Sequence, residues 1–118
     1  MIYRTVKDLI GTEREAVGQG WRSRRFLLAE DGLPFSVHET TVAAGAELRF
    51  NYKNHSETVY CISGKASITD VANNTTLPIS AGTFYSVGIA EDHILRIEEE
   101  TRFVCIFEPP LAGQEEAD

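Results

Sequence analysis

The sequence predicts an all-β domain of the jelly-roll or small-barrel class, on three observations. Eight short segments rich in β-branched or aromatic residues follow one another from Arg22 onward: 23–29, 35–43, 47–53, 57–63, 65–71, 83–87, 93–98 and 102–107. Turn-forming pairs separate them, namely Asp31-Gly32, Ala44-Gly45, Ser63-Gly64, Asn73-Asn74 and Ala81-Gly82. Only one segment, 6–10, reads as a helix, and it is a short N-terminal one stopped by Gly11. Residues 12–20 are polar and read as loop. Alternation is clearest across Leu48, Arg49, Phe50, Asn51 and Tyr52, where apolar and polar side chains trade places at period two. Pro109-Pro110 closes the last strand, since proline cannot donate to a central ladder. Eight strands in one domain form a sandwich or small barrel, and a double-sheet jelly roll is a natural solution at this length.

Length and charge bound the rest. The chain has 118 residues, 42% of them apolar, which fits one domain spanning 1–118. A chain of this size buries roughly two-thirds of its unfolded surface, so it needs no disulfide or metal merely to fold. Its apolar runs fall far short of the roughly 20 residues that span a bilayer, and charges at Arg4, Lys7 and Asp8 occupy the place of a signal sequence's apolar stretch. A soluble cytoplasmic protein without membrane partners is expected. A net charge of −7 speaks against a nucleic-acid partner. The run Glu98, Glu99, Glu100 reads as a solvated turn and the acidic tail as a loose terminus, while Arg22, Arg24 and Arg25 form a basic cluster beside Trp21. Cys61 and Cys105 lie inside apolar runs and read as reduced core thiols.

Three histidines, His38, His55 and His93, are available for chemistry. A lone histidine in a strand is ordinarily a packed structural residue; a spacing changes that reading. The cupin signature, G-x5-H-x-H-x3-E-x6-G followed by G-x5-P-x-G-x2-H, is matched in frame by Gly45, Glu57, Gly64, Gly82 and His93. Its first two histidine slots hold Asn51 and Lys53. Glu57 and His93 alone are too few for a tight transition-metal site, so a third donor is required. Tyr85 is the best candidate and His55 the runner-up. Such an oxygen-plus-imidazole set suits iron, with zinc the less favoured metal; without a metal, Glu57 and His93 would simply hydrogen-bond.

Longer strings then carry a resemblance. Trp21-x-Ser23-Arg24-Arg25, the run from Phe35 to Thr41, Tyr52-x-x-His55-x-Glu57-x-Val59-Tyr60-Cys61, and Val104-Cys105-x-Phe107-x-Pro109-Pro110-Leu111-x-Gly113 together resemble the ectoine synthases, over nearly the whole chain. The resemblance implies a homodimeric, iron(II)-dependent cupin lyase of compatible-solute (osmoprotectant) biosynthesis. Its reaction would close N-γ-acetyl-L-2,4-diaminobutyrate, a small amino acid, to ectoine with loss of water. It carries the metal ligands onto Glu57, Tyr85 and His93. It carries substrate contacts onto Trp21, Arg25, Thr40, Tyr52, Cys105, Phe107 and Glu115, with His55 and Gly64 close by. Arg25 offers a fork for the substrate carboxylate, and Trp21 and Phe107 an apolar wall that folds the substrate so that amine meets carbonyl. Loss of the carbinolamine hydroxyl needs a proton donor, for which Tyr52, His55 and Glu115 all remain candidates.

The chain also departs from the family pattern. Gly88 and Ala90 stand in a stretch where an acidic residue and a second histidine are usual, Glu108 replaces a common asparagine, and Ala66 replaces a glycine. Ala117 stands where the family has a histidine, and the sequence ends at Asp118. Pro109-Pro110 should turn the chain back so that residues 111–116 fold over the barrel mouth, with Glu115 reaching the substrate amine. Rival functions are a related cupin acting on another small amide, the reverse ring opening, and a non-catalytic cupin that binds a small ligand.

Overall fold

The computed structural model describes residues 1–113. A single turn of helix, α1 (Val6–Leu9), is started by Asp8, whose carboxylate accepts the Thr5 N–H at 2.7 Å, and it buries Leu9. The strands are β1 (Glu15–Gly18), β2 (Trp21–Leu27), β3 (Ser36–Val42), β4 (Glu47–Phe50), β5 (Ser56–Asp70), β6 (Thr75–Ser80), β7 (Phe84–Val87) and β8 (His93–Glu108). All pairings are antiparallel. The ladder runs β1-β2-β3-β8-β5-β6, with β4 added on β8 and β7 on β5. Because β5 and β8 are long, they belong to two sheets at once. The first half of β5 and the second half of β8 join β7 on one side and β3, β2, β1 on the other. The second half of β5 and the first half of β8 join β6 and β4. Val59, Cys61, Phe103, Cys105 and Phe107 from one sheet meet Ile68, Ile79, Leu95 and Ile97 from the other in one core. This is the expected jelly roll, and both cysteines are free and buried. Among the described residues no helix is long and apolar enough to cross a membrane.

The expected count of eight strands is met by compensating differences. Residues 12–20 are not all loop, because β1 forms there as an edge strand. Its polar sequence carries little strand signal, and pairing with β2 supplies what propensity does not. Gly18 faces Trp21 in this register, and a Cβ there would lie 2.2 Å from the indole, so the glycine makes the slot in which the ring lies. Strand β6 is also new. It too is an edge strand, with Ile79 its single buried residue, and it therefore lacks alternation.

In the other direction, 57–63 and 65–71 are one strand, and so are 93–98 and 102–107. Ser63-Gly64 and the Glu98, Glu99, Glu100 run are bends within the β5–β8 ribbon, where the register shifts between Cys61 and Ala66. The three glutamates are exposed, as expected, but on a strand and not in a turn. Gly64 has φ +107°, and a Cβ on it would lie 2.4 Å from Thr101 Oγ1 and 2.5 Å from the Glu100 carbonyl oxygen. Left-handed strain and overpacking therefore combine at one residue. Gly64→Ala is expected to cost about 2–5 kcal/mol, read as a lowered midpoint of denaturant unfolding; an unchanged midpoint would show that the ribbon does not need this bend.

Candidate active site

Strand pairing lays the inward-facing residues out in rows. One row crosses five strands: Arg25 on β2, His38 on β3, Cys105 on β8, Val59 on β5 and Tyr85 on β7. The next contains Ser36, Phe107, Glu57 and Val87, and a third pairs Ser23 with Thr40 and Phe103. These rows wall a cavity of about 490 Å³ that also touches Trp21, Tyr52, Leu111 and Gly113. Its size fits a small metabolite.

Most of the expected site residues converge there. Trp21, Arg25, Thr40, Tyr52, Glu57, Tyr85, Cys105 and Phe107 all line the cavity. His93, on the opposite sheet, does not itself line the cavity: it is 2% exposed behind Glu57, with its Nε2 3.9 Å from Glu57 Oε1. His55 does not line it. That ring stands edge-on to Phe107, its Nδ1 2.7 Å from the Pro109 carbonyl oxygen, and so braces the far side of a wall residue. Gly64 acts at a distance, through the ribbon bend. Glu115 and Ala117 lie outside the described residues. Of the expected lid, Leu111 and Gly113 do reach the cavity: Leu111 is buried, its carbonyl accepts the Ala29 N–H at 2.8 Å, and the Arg25 guanidinium donates to the Gly113 carbonyl at 3.0 Å. Sequence reasoning passed over His38 and Ser36. Both lie on the inward parity of Thr40, and this period-two signal could have placed them.

Burial sets the protonation of the wall. It pushes the Glu57 carboxyl up to about 8, only partly offset by a hydrogen bond from the Cys105 thiol. The Tyr85 phenol and the Cys105 thiol are raised well above their ordinary values, by burial first and by the Glu57 charge second. Burial likewise raises Tyr52, with Glu57 adding to the shift and Arg25 opposing it, so Tyr52 lies within reach of both charges. Its ring is held by stacking on Phe50 and by an edge contact with Phe107 at 5.0 Å. The Ala90 N–H donates to the Tyr52 carbonyl at 2.7 Å, tying the 88–90 loop to a residue that lines the cavity.

The donor set fits a metal. Among the described residues no three His, Cys, Asp or Glu side chains gather, so a third ligand beside Glu57 and His93 has to be another residue type. Tyr85 is in the wall. The Nδ1 of His93 lies 2.8 Å from the Glu91 carbonyl oxygen and so carries the ring proton, which leaves Nε2 as a bare lone pair. That Nε2 is buried and has no hydrogen-bond partner. An unpartnered buried acceptor 3.9 Å from a carboxylate oxygen makes with it a pair of ligand donors that a cation would fit.

The chain matches the profile of the family described as "Ectoine synthase" over residues 1–118. It belongs to the ectoine synthase family. An L-ectoine synthase of Desulfosudis oleivorans is 45% identical to it over 119 residues, covering 100% of this chain and 92% of the relative. The crystal structure of ectoine synthase from P. lautus superposes with a TM-score of 0.91 at 40% identity, covering 96% of this chain and 81% of that one. An RmlC-like cupin from Shewanella frigidimarina, at 19% identity and a TM-score of 0.65 over 80% of this chain and 81% of its own, shares the fold. Family membership makes the chain a lyase-class enzyme with a cupin scaffold.

A buried carboxyl raised from 4.5 to about 8 has a signature in stability. Between those values the folded protein holds a proton that the unfolded chain releases, so this contribution is full below pH 4.5 and is lost as pH rises towards 8. The metal-free protein is therefore expected to lose up to about 1.4 kcal/mol per pH unit in that window through Glu57. Unfolding Glu57→Gln and the parent chain in parallel across this range should show the variant's slope flatter; parallel slopes would contradict the assignment.

Proposed function

We propose that this cavity converts N-γ-acetyl-L-2,4-diaminobutyrate to ectoine, with iron(II) held by Glu57, Tyr85 and His93. The observation that carries the reading is the single wall that runs from a guanidinium, Arg25, to the Glu57, Tyr85 and His93 cluster. Arg25 matches the substrate carboxylate, and the far end matches its acetamide. Trp21 and Phe107 pack the intervening chain and the methyl group, which brings the α-amino nitrogen to the carbonyl carbon. A new C–N bond forms, and two protons from the amine leave with the acetamide oxygen as water. Bound metal would supply Lewis-acid polarisation of the substrate. Tyr52 is the donor within the described wall: burial keeps its phenol protonated, and aromatic neighbours fix its ring, so it can hydrogen-bond the developing hydroxyl. Glu115 keeps its proposed role at the substrate amine. His55 serves by bracing Phe107. Zinc is the alternative metal, and the cytoplasm is the proposed site of action.

A second reading is a related cupin that acts on another small amide, or on ectoine in the ring-opening direction; the loop that holds Gly88 and Ala90 meets the site through the Ala90 N–H on the Tyr52 carbonyl. Incubating iron-loaded protein with N-γ-acetyl-L-2,4-diaminobutyrate should give ectoine by chromatography or NMR. No cyclic product, with turnover of other amides, would favour the rival. Elemental analysis after anaerobic purification is expected to find about one iron per chain, and His93→Ala should remove most of it. Iron content unchanged in that variant would rule the ligand set out.

We also propose a homodimer. The outer face of the larger sheet carries Tyr60, Ile62, Phe84 and Ile106 with exposures of 49%, 37%, 62% and 36%, and it continues through Val37 into an apolar groove lined by Met1, Ile2, Phe26, Leu27 and Leu33. Such a continuous apolar surface marks an interface. Light scattering should report about twice 13.1 kDa, and Ile106→Glu should give a monomer; a monomeric parent chain at micromolar concentration would contradict this.

A further inference from the structure

One buried hydroxyl, that of Ser36 on β3, joins a residue of the cavity wall to the segment that follows β8. Ser36 is completely buried, and its Oγ has two partners, one backbone and one side chain. It accepts the backbone N–H of Leu111 at 3.0 Å, and it lies 2.9 Å from Nε2 of His38. His38 is itself 2% exposed, lines the cavity, and stands edge-on to Phe107 at 5.3 Å. Its neighbours in the row are Arg25 on one side and Cys105, whose thiol lies 3.9 Å from Thr40 Oγ1, on the other.

Proton accounting fixes the direction of this chain. Ser36 Oγ already accepts from Leu111 and has a single proton to give. Donated to His38 Nε2, that proton satisfies both buried groups. If Nε2 carried a hydrogen instead, the serine would accept twice and its own O–H would be left buried without an acceptor, which native structures avoid. The neutral imidazole therefore carries its hydrogen on Nδ1.

We propose that Ser36 is a positioning residue of the site, which sets the tautomer and orientation of the His38 ring in the cavity wall and anchors the Leu111 segment above it. This rests on the cavity being the substrate site, but the anchoring itself does not.

Two arms keep the possible failures apart. Long-range ¹H–¹⁵N NMR of the three histidines needs no substrate or turnover. In the parent chain His38 should show a single Nδ1–H tautomer with an unprotonated Nε2. In Ser36→Ala it should become a mixture of tautomers while His93, held by Glu91, stays unchanged. An Nε2–H tautomer in the parent chain, or an identical His38 spectrum in the variant, would overturn the proposal; the first of these is decided even if the variant does not fold. In the second arm, Ser36→Ala should raise the KM for N-γ-acetyl-L-2,4-diaminobutyrate about tenfold, the value of one hydrogen bond, with kcat nearly held. An unchanged KM would overturn the positioning role. Absence of turnover in the parent chain itself would instead count against the substrate, with the NMR arm still deciding the role of Ser36.

Discussion

Glu57 and His93 stand at opposite ends of one antiparallel ribbon, and the site exists only because that ribbon folds back on itself. Residue 57 pairs near the end of β8, whereas His93 pairs with Asp70, thirteen residues further along β5. On a straight ribbon that separation would be about 43 Å. The two side chains are instead 3.9 Å apart. The register shifts around Gly64 and the facing Glu99 to Thr101 stretch turn the ribbon from one sheet into the other, and β7 and β4 then close the two sides. Every later feature of the cavity, from the cross-strand rows to the orphaned His93 nitrogen, follows from that fold-back.

The enclosed cavity has a distinct electrostatic character. Its acidic groups, Glu57, Tyr52, Tyr85 and Cys105, are all raised by burial. The wall of the metal-free protein thus offers neutral donors and one buried guanidinium, with the exposed Arg49 held by Asp92 at the rim. In the function proposed above, one end of the site would take the substrate carboxylate and the other a cation, which would displace the Glu57 proton. Preorganisation comes from ordinary packing: Tyr52 between Phe50 and Phe107, Phe107 between His38 and His55. Donors fixed before the substrate arrives need no reorganisation during the reaction.

Much of the site's layout was legible in the sequence because the motif glycines bracket the proposed ligands at fixed intervals. Glu57 and His93 were readable from spacing, and Tyr85 from its place between Gly82 and His93. The same glycines misled on strand boundaries: Gly64 reads as a turn residue, and only the tertiary contact with Thr101 shows that it bends a strand instead of ending it. Edge strands β1 and β6 were invisible, since an edge with one buried residue has no alternation to detect. His55 drew attention as a histidine beside the motif, yet β5 begins after it, so its ring stays behind Phe107. His38 and Ser36 were passed over because a histidine and a serine in a strand suggest packing; their chemistry appears only when Arg25, Cys105 and Leu111 arrive from other elements.

The account's central claim is that the folded ribbon converges Glu57, Tyr85 and His93 on one cation. The most direct measurement is an anomalous difference map, collected at the iron edge, from crystals grown anaerobically with iron(II). A single peak per chain is predicted within bonding distance of the Glu57 carboxylate, the Tyr85 oxygen and His93 Nε2. A peak bound by other residues, or none at full iron loading, would contradict it.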